Sequence, residues 1–104
     1  MANPYHGEVE LVLDGQARKM RLTLGALAEL ETELESGSLM DLVQRFENGG
    51  FSARDLLALL CAGLRGGGMD IRVPELSGMG IEGGPVAAAQ AAGRLLKVTF
   101  SVPE

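Results

Sequence analysis

Residues 7–24 alternate between apolar and polar positions, the period-two pattern of a β-strand, on both sides of Asp14-Gly15. Asp and Gly accept the positive φ angles of a two-residue hairpin turn, so the pattern predicts an antiparallel β-hairpin centred there. A slip of one residue would move every apolar side chain to the wrong face, which fixes the register. Counting outward from the turn gives three direct cross-strand pairs: Glu10 with Lys19, Glu8 with Arg21, and Val9 with Met20.

Three N-cap residues divide the chain after the hairpin, because Thr23, Ser38 and Ser52 each precede a run with apolar residues at three-and-four spacing. Gly37 should end the first of the helices that follow. The third run is apolar on most of its sides, and it should therefore form the central, most buried helix. The runs predict three helices, over about 24–35, 39–48 and 53–65. The first should bury one leucine stripe, made of Leu24, Leu27, Leu30 and Leu34.

A final helix is predicted from Pro85 to about Phe100, because proline suits the first turn of a helix. Glycines dilute the pattern between residues 69 and 83, where only a short helix near 74–79 is predicted. The fold class is therefore α+β, with an N-terminal antiparallel hairpin at about 7–24 and a mostly helical part of four to five short helices at about 24–100. The apolar stripe of the final helix should comprise Val86, Ala89, Gly93, Leu96 and Phe100.

The length of 104 residues suits one domain with its own core, and we expect residues 1–104 to form a single domain. The net charge of -5 argues against nucleic acid as a partner, since phosphate binding requires clustered Lys and Arg. The chain shows neither a signal peptide nor an apolar run of the ~20 residues that a membrane span needs. A soluble, cytoplasmic protein with no membrane partner is therefore expected.

Few side chains point to catalysis. His6 is the only histidine and precedes the first strand, so a solvated position is favoured over a ligand role. Cys61 lies in an apolar run without a basic neighbour, and its thiol should stay protonated in the core. Gly66-Gly67-Gly68 lacks the Lys-Ser/Thr of a phosphate loop and is interpreted as a helix C-cap and hinge. The sequence thus predicts no enzyme, no cofactor and no metal site.

The first predicted helix bears four carboxylates, of which Glu29 and Glu33 share a face one turn apart. Three interpretations stay open: a solvated face, an acidic docking surface for a basic partner helix, and a divalent metal site of a hydrolase. The solvated face is favoured, because glutamates on one side of a helix lack the clustered loop oxygens that calcium prefers. The other two carboxylates are Glu31 and Glu35.

Five segments follow one another in a distinctive order: Gly7-Glu8-Val9, Leu13-Asp14-Gly15, and the stretches 22–31, 49–60 and 83–89. In this order they resemble the small tail protein that alphaproteobacterial gene transfer agents and related prophages encode. The likeness extends from about Gly7 to Phe100 and rests on structural residues, without a catalytic motif. Residues 69–79 contribute least to it.

This resemblance implies a non-enzymatic role in building a phage-like tail, and the family is described both as a tail tube protein and as a tail assembly chaperone. A chaperone would bind the tape-measure protein and help to recruit tube subunits, whereas a tube component would form rings in the particle. One hairpin offers little sheet for a ring, and short amphipathic helices suit binding to other polypeptides. The hypothesis is therefore a tail assembly chaperone, with a structural tube component as the alternative; self-association is compatible with both.

The partner surface of such a chaperone should lie on the helices. Four or five helices present more apolar faces than a two-stranded hairpin can cover, so either the helices form their own bundle or one face is available to a partner. Packing in the core is the alternative for every candidate residue. The candidates lie on the second and the last predicted helix: Leu39, Met40, Val43, Phe46, Val86, Gln90 and Gly93.

Overall fold

The computed structural model of the chain describes residues 6–34 and 37–100. An antiparallel hairpin followed by a helical part confirms the predicted α+β class. None of the helices in these two ranges has both the length and the apolar character needed to span a bilayer. The elements in chain order are β1 (Glu8–Leu13), β2 (Gln16–Arg21), α1 (Leu24–Glu33), α2 (Leu39–Asn48), α3 (Ala53–Gly66), α4 (Val73–Ser77) and α5 (Gly84–Phe100).

The hairpin has the predicted register, which pairs Val9 with Met20 and Glu10 with Lys19. Its turn residues, Asp14 and Gly15, have φ angles of 48° and 80°, the positive values that this turn requires. The Lys19 ammonium lies 3.3 Å from the Glu8 carboxylate, a diagonal neighbour rather than its direct cross-strand partner. The apolar face of the hairpin forms one side of the core, with Val9, Leu11, Leu13 and Met20 buried.

The central helix is α3, as predicted, and every residue from Ala58 to Leu64 is buried. It begins at the predicted N-cap with a capping box, in which the Ser52 hydroxyl accepts from the Asp55 amide and the Asp55 carboxylate accepts from the Ser52 amide. It packs against β2, α1, α4 and α5. The strongest local signal in the sequence therefore starts the helix around which the core is built.

Two glycines bring the end of α3 against β2. A Cβ atom on Gly66 would collide with the backbone carbonyl of Arg21, and one on Gly67 would collide with that of Lys19. Only glycine permits so close an approach between a helix end and a strand. The helix does end here, as predicted, but the pattern of the sequence did not indicate this packing role.

The burial of α1 differs from the prediction, because Leu24 is 86% exposed while Leu30 is fully buried. At about 100° per residue, two steps of three residues rotate Leu24 roughly 120° away from Leu30. The buried face is instead formed by Ala26 and Leu30. The prediction for the helix end was also wrong: α1 ends at Glu33, and the cap is Leu34, whose amide donates to the Leu30 carbonyl at 3.2 Å, rather than Gly37.

The final helix begins at Gly84, next to the predicted Pro85, but it buries a different face. Val86 is 68% exposed and Phe100 is 39% exposed, so the predicted stripe is wrong at both ends. The predicted stripe followed from residue spacing alone. The face that carries the small alanines is the one through which α5 packs against β1 and α3. The buried residues are Ala88, Ala91, Ala92, Leu95 and Leu96.

Residues 69–83 fold back onto the tip of the hairpin. The Gly80 carbonyl accepts from the Asp14 amide, and the Gly80 amide donates to the Asp14 carboxylate, both at 2.8 Å. Ile81 then forms an isolated antiparallel bridge with Leu13. The short helix α4 begins at Val73, one residue before the predicted start, and it ends at Ser77 instead of at residue 79.

Candidate partner-binding groove

An open groove of about 600 Å³ lies between α2 and α5. Each helix contributes about two turns to it, so the groove is roughly 10 Å long. Its lining is mostly apolar, with one acidic and one basic side chain. The lining residues are Met40, Val43, Phe46 and Glu47 on α2 and Gly93, Leu96, Lys97 and Phe100 on α5.

Apolar side chains of this groove face solvent. Met40 is 58% exposed and Phe100 is 39% exposed, although both are large hydrophobic residues. Val43 and Phe46 are half-buried beneath them and pack against the core. Exposed apolar surface gathered in a concave site is typical of a place where another polypeptide binds.

The position of α2 is fixed by contacts at the start of α3. The guanidinium of Arg45 donates two hydrogen bonds to the Asp55 carboxylate, from Nε at 2.9 Å and from Nη2 at 3.1 Å. Beside this bidentate pair the rings of Phe46 and Phe51 stack, with centroids 4.3 Å apart. These two contacts hold α2 in place, and so they also position the groove face of that helix.

The Asp55 carboxylate thus serves both helices, since it also closes the capping box of α3. Burial by itself would raise the pKa of this carboxyl. The hydrogen bonds from Arg45 and Ser52, together with the positive charge of Arg45, outweigh burial and hold the pKa below its usual value. The carboxylate is therefore ionised at neutral pH, and the link between α2 and α3 is charged.

The two ends of α2 follow their local signals. Ser38 is the N-cap, as predicted, and forms a capping box with Asp41, while Gly49 ends the helix with a φ angle of 78°. Leu42, on the inner face, is fully buried. Because Leu42 faces the core, Met40 and Val43 are directed toward the groove.

The groove contains four of the seven residues proposed from the sequence: Met40, Val43, Phe46 and Gly93. Leu39 is half-buried and packs against the core, while Val86 and Gln90 are exposed on α5 away from the groove. Sequence reasoning missed the remaining four lining residues. Leu96 and Phe100 belonged to the predicted apolar stripe of the last helix but were not proposed as partner contacts, and nothing local marked the other two, Glu47 and Lys97.

The acidic face of α1 has a basic partner within the chain. Arg65 of α3 places Nε 3.2 Å from the Glu29 carboxylate and donates from Nη2 to the Glu33 carboxylate at 2.9 Å. Its side chain is only 13% exposed, so these ion pairs lie at the edge of the core. Glu31 is exposed, and Glu35 lies outside the described residues.

This arrangement bears on the metal interpretation. Both carboxylates that were candidates for a cation, Glu29 and Glu33, face the guanidinium of Arg65 instead. Across residues 6–34 and 37–100, no three His, Cys, Asp or Glu side chains are grouped as metal ligands would be. His6 is exposed, ahead of β1.

Cys61 is fully buried in α3, and its thiol donates to the Ile71 carbonyl at 3.3 Å. The expectation that it has no basic neighbour is wrong, because Nη1 of Arg65, one helical turn later, lies 3.5 Å from the sulfur. Burial nevertheless raises the pKa of the thiol by more than the Arg65 charge lowers it. The thiol therefore stays protonated at neutral pH, as predicted.

Comparison with known proteins adds one finding to this geometry. No curated protein and no solved structure shows significant similarity to the chain. The family model described as phage tail tube protein, GTA-gp10, matches residues 6–102, a range that includes the hairpin, all five helices and both sides of the groove. The resemblance seen in the sequence is confirmed, and the chain belongs to this family of tail proteins of phages and gene transfer agents.

Proposed function

We propose that this tail protein is a non-enzymatic tail assembly chaperone, which binds the tape-measure and tube proteins of its particle while the tail is built. The main support is the groove between α2 and α5, which exposes Met40 and Phe100 to solvent. A protein that acts alone has no need for large apolar side chains in an open groove, whereas a chaperone binds through such a surface. Its place of action is then the cytoplasm.

The ionisable side chains around the groove favour binding over catalysis. Glu47 and Lys97 are the only ionisable residues among those that line it. The nearby Arg45 and Asp55 are engaged with each other in holding α2 on α3. A catalytic site would bring a nucleophile and a base together, and the groove lining contains no such pair.

The alternative is a structural subunit of the tail tube, which the description of the family favours. A tube subunit forms rings through repeated interfaces, and an extended sheet with open edges suits that role. The described residues contain one sheet of two strands. Gly66 and Gly67 lie against the outer edge of β2, and on the outer edge of β1 Val12 accepts from the Glu82 amide. These covered edges support the chaperone.

Co-expression separates the two functions. The chain is produced with the tape-measure and tube proteins of the same particle, and each is tested for co-purification. Mature particles are then purified, and the copy number of the chain is measured by mass spectrometry. Capture of the tape-measure protein together with absence from particles supports the chaperone. Retention in particles at a multiple of the ring size supports the tube subunit and contradicts our proposal.

A further inference from the structure

We infer that the groove holds a single amphipathic α-helix of the partner, which crosses close to the backbone at Gly93. This inference rests on the proposed function and specifies what the groove recognises. Three features of the described residues support it: an unexplained glycine, the length of the groove and the acidic residue on its α2 side.

Gly93 is the unexplained glycine. It lies in the interior of α5, where glycine is less favourable than alanine by about 1 kcal/mol. An added Cβ atom there would meet nothing within 4 Å, in contrast to Gly66 and Gly67, where one would collide with backbone. Packing within the chain therefore does not require a glycine at this position. On the side of a groove, a glycine leaves room for the backbone of a bound partner.

The length of the groove favours one helix over a second copy of this chain. About two turns of each side helix line it, roughly 10 Å, which matches two turns of a bound helix. A stable homodimer buries about 800 Å² on each partner, far more than a site of this length offers. The occupant is therefore a segment of another polypeptide that inserts an apolar stripe with three-and-four spacing.

One acidic residue defines a polar flank of that helix. Glu47 lies on the α2 side of the groove and is exposed. A bound helix is matched to this side when it carries a basic residue on the flank that faces Glu47. The partner segment is thus an amphipathic helix with a basic flank, and a uniformly acidic helix fits less well.

Two substitutions at one position test the inference. Gly93→Leu places a branched side chain in the groove, whereas Gly93→Ala adds a single methyl group. Gly93→Ala should fold, since an added Cβ meets nothing within 4 Å, and the open groove leaves space for the longer side chain of Gly93→Leu, whose fold is checked by melting. With the co-expressed tape-measure and tube proteins as probes, we expect Gly93→Leu to weaken capture at least about tenfold and Gly93→Ala to change it less than about threefold.

A second pair of variants acts on the α2 side. Met40→Glu puts a charge on an exposed groove residue and should also weaken capture about tenfold. Leu24→Glu, on an exposed residue of α1 that does not line the groove, is the control and should leave capture unchanged. Circular dichroism melting of every variant confirms that the fold is retained.

The outcomes separate this inference from the proposed function. If the unmodified chain captures a tail protein and both Gly93→Leu and Met40→Glu capture it equally well, the groove assignment is overturned while the chaperone function stands. If the unmodified chain captures neither probe, both are overturned. If light scattering shows a dimer that Gly93→Leu converts to a monomer, the occupant is a second copy and the inference is wrong.

Discussion

Glycine has opposite surroundings at the end of α3 and in the middle of α5. At Gly66 and Gly67 the helix touches the carbonyls of β2, and no side chain fits. At Gly93 an added Cβ has open space around it, and an apolar groove runs past. At the end of α3 the chain fills the space beside the glycines, whereas beside Gly93 the space is left open. The glycines of α3 are therefore required by packing within the chain, whereas Gly93 is not.

The two regions also differ in how they are held. Arg65 joins the end of α3 to two carboxylates of α1 and lies at the edge of a fully packed core. The groove helix α2 has one fully buried residue, Leu42, and is otherwise held by half-buried apolar side chains, an ion pair and a pair of stacked rings. A helix with few fully buried residues, beside a packed core, suits the proposed docking of a partner helix, because α2 can adjust its position.

Gly66→Ala should have the largest effect, because the new methyl group collides with the Arg21 carbonyl and forces α3 away from β2. We expect a loss of about 3 kcal/mol in the free energy of unfolding, measured by urea denaturation. The transition should stay a single cooperative step, since the buried side chains form one cluster. A loss below about 1 kcal/mol would show that the strand and the helix end separate easily.

Asp55→Ala should be next, since it removes both the ion pair with Arg45 and the capping box of α3. The expected loss is about 2 kcal/mol at pH 7. Ser52→Ala is the matched control: it removes only the cap and should cost about 1 kcal/mol. Equal losses for the two variants would mean that the link to α2 contributes nothing.

The ionisation of the same carboxylate should make the stability of the protein depend on pH. The pKa of Asp55 is lower in the folded protein than its ordinary value of 3.8, so its stabilising contribution is complete above that value. The contribution is lost as the pH falls through the folded pKa. Between pH 7 and pH 3, therefore, the unmodified chain should lose more stability than Asp55→Asn, as followed by thermal melting. Parallel pH profiles would contradict this account.

Arg65→Leu should have a smaller effect, because Glu29 and Glu33 stay largely solvated when the guanidinium is removed. The expected loss is about 1 kcal/mol at low salt, declining as salt is added. A double-mutant cycle with Glu33→Gln isolates the ion pair from the lost packing of the arginine stem. A coupling energy of zero would mean that the pair between Arg65 and Glu33 does not contribute to holding α1 on α3.

Gly93→Ala should have the smallest effect, with the opposite sign. Alanine at this open helical position should raise the free energy of unfolding by up to about 1 kcal/mol. Urea denaturation of Gly93→Ala and Gly66→Ala, measured side by side, compares the effects of a methyl group at the two positions. A destabilised Gly93→Ala would show that the chain itself needs this glycine and would remove one support for a bound helix.

Much of the fold was predictable because its signals are local. The turn at Asp14-Gly15 and the N-caps at Thr23, Ser38 and Ser52 each depend on residues within four positions, and all are confirmed. Helix faces were harder, since spacings of three and four allow more than one stripe. Leu24 and Leu30 point in different directions around α1, so both cannot be buried. Which of them is buried depends on the elements that pack against the helix.

Contacts between distant residues could not be predicted from a single sequence. Gly80 bonds to Asp14, 66 positions away, and Gly66 touches the backbone of Arg21. The groove has the same origin, because Glu47 and Lys97 become neighbours of one site only when α2 and α5 are placed side by side. Residue type suggested Met40, Val43, Phe46 and Gly93, and geometry supplied the other half of the lining.

The composition of purified particles distinguishes an assembly chaperone from a tube subunit. Quantitative mass spectrometry is applied to mature particles and, in parallel, to tail assembly complexes from the same lysate. We expect to find the chain in complexes that contain the tape-measure protein, and we expect the chain to be absent from mature particles. A fixed copy number in mature particles, at a multiple of the tube ring, would contradict the account and assign the chain to the tube.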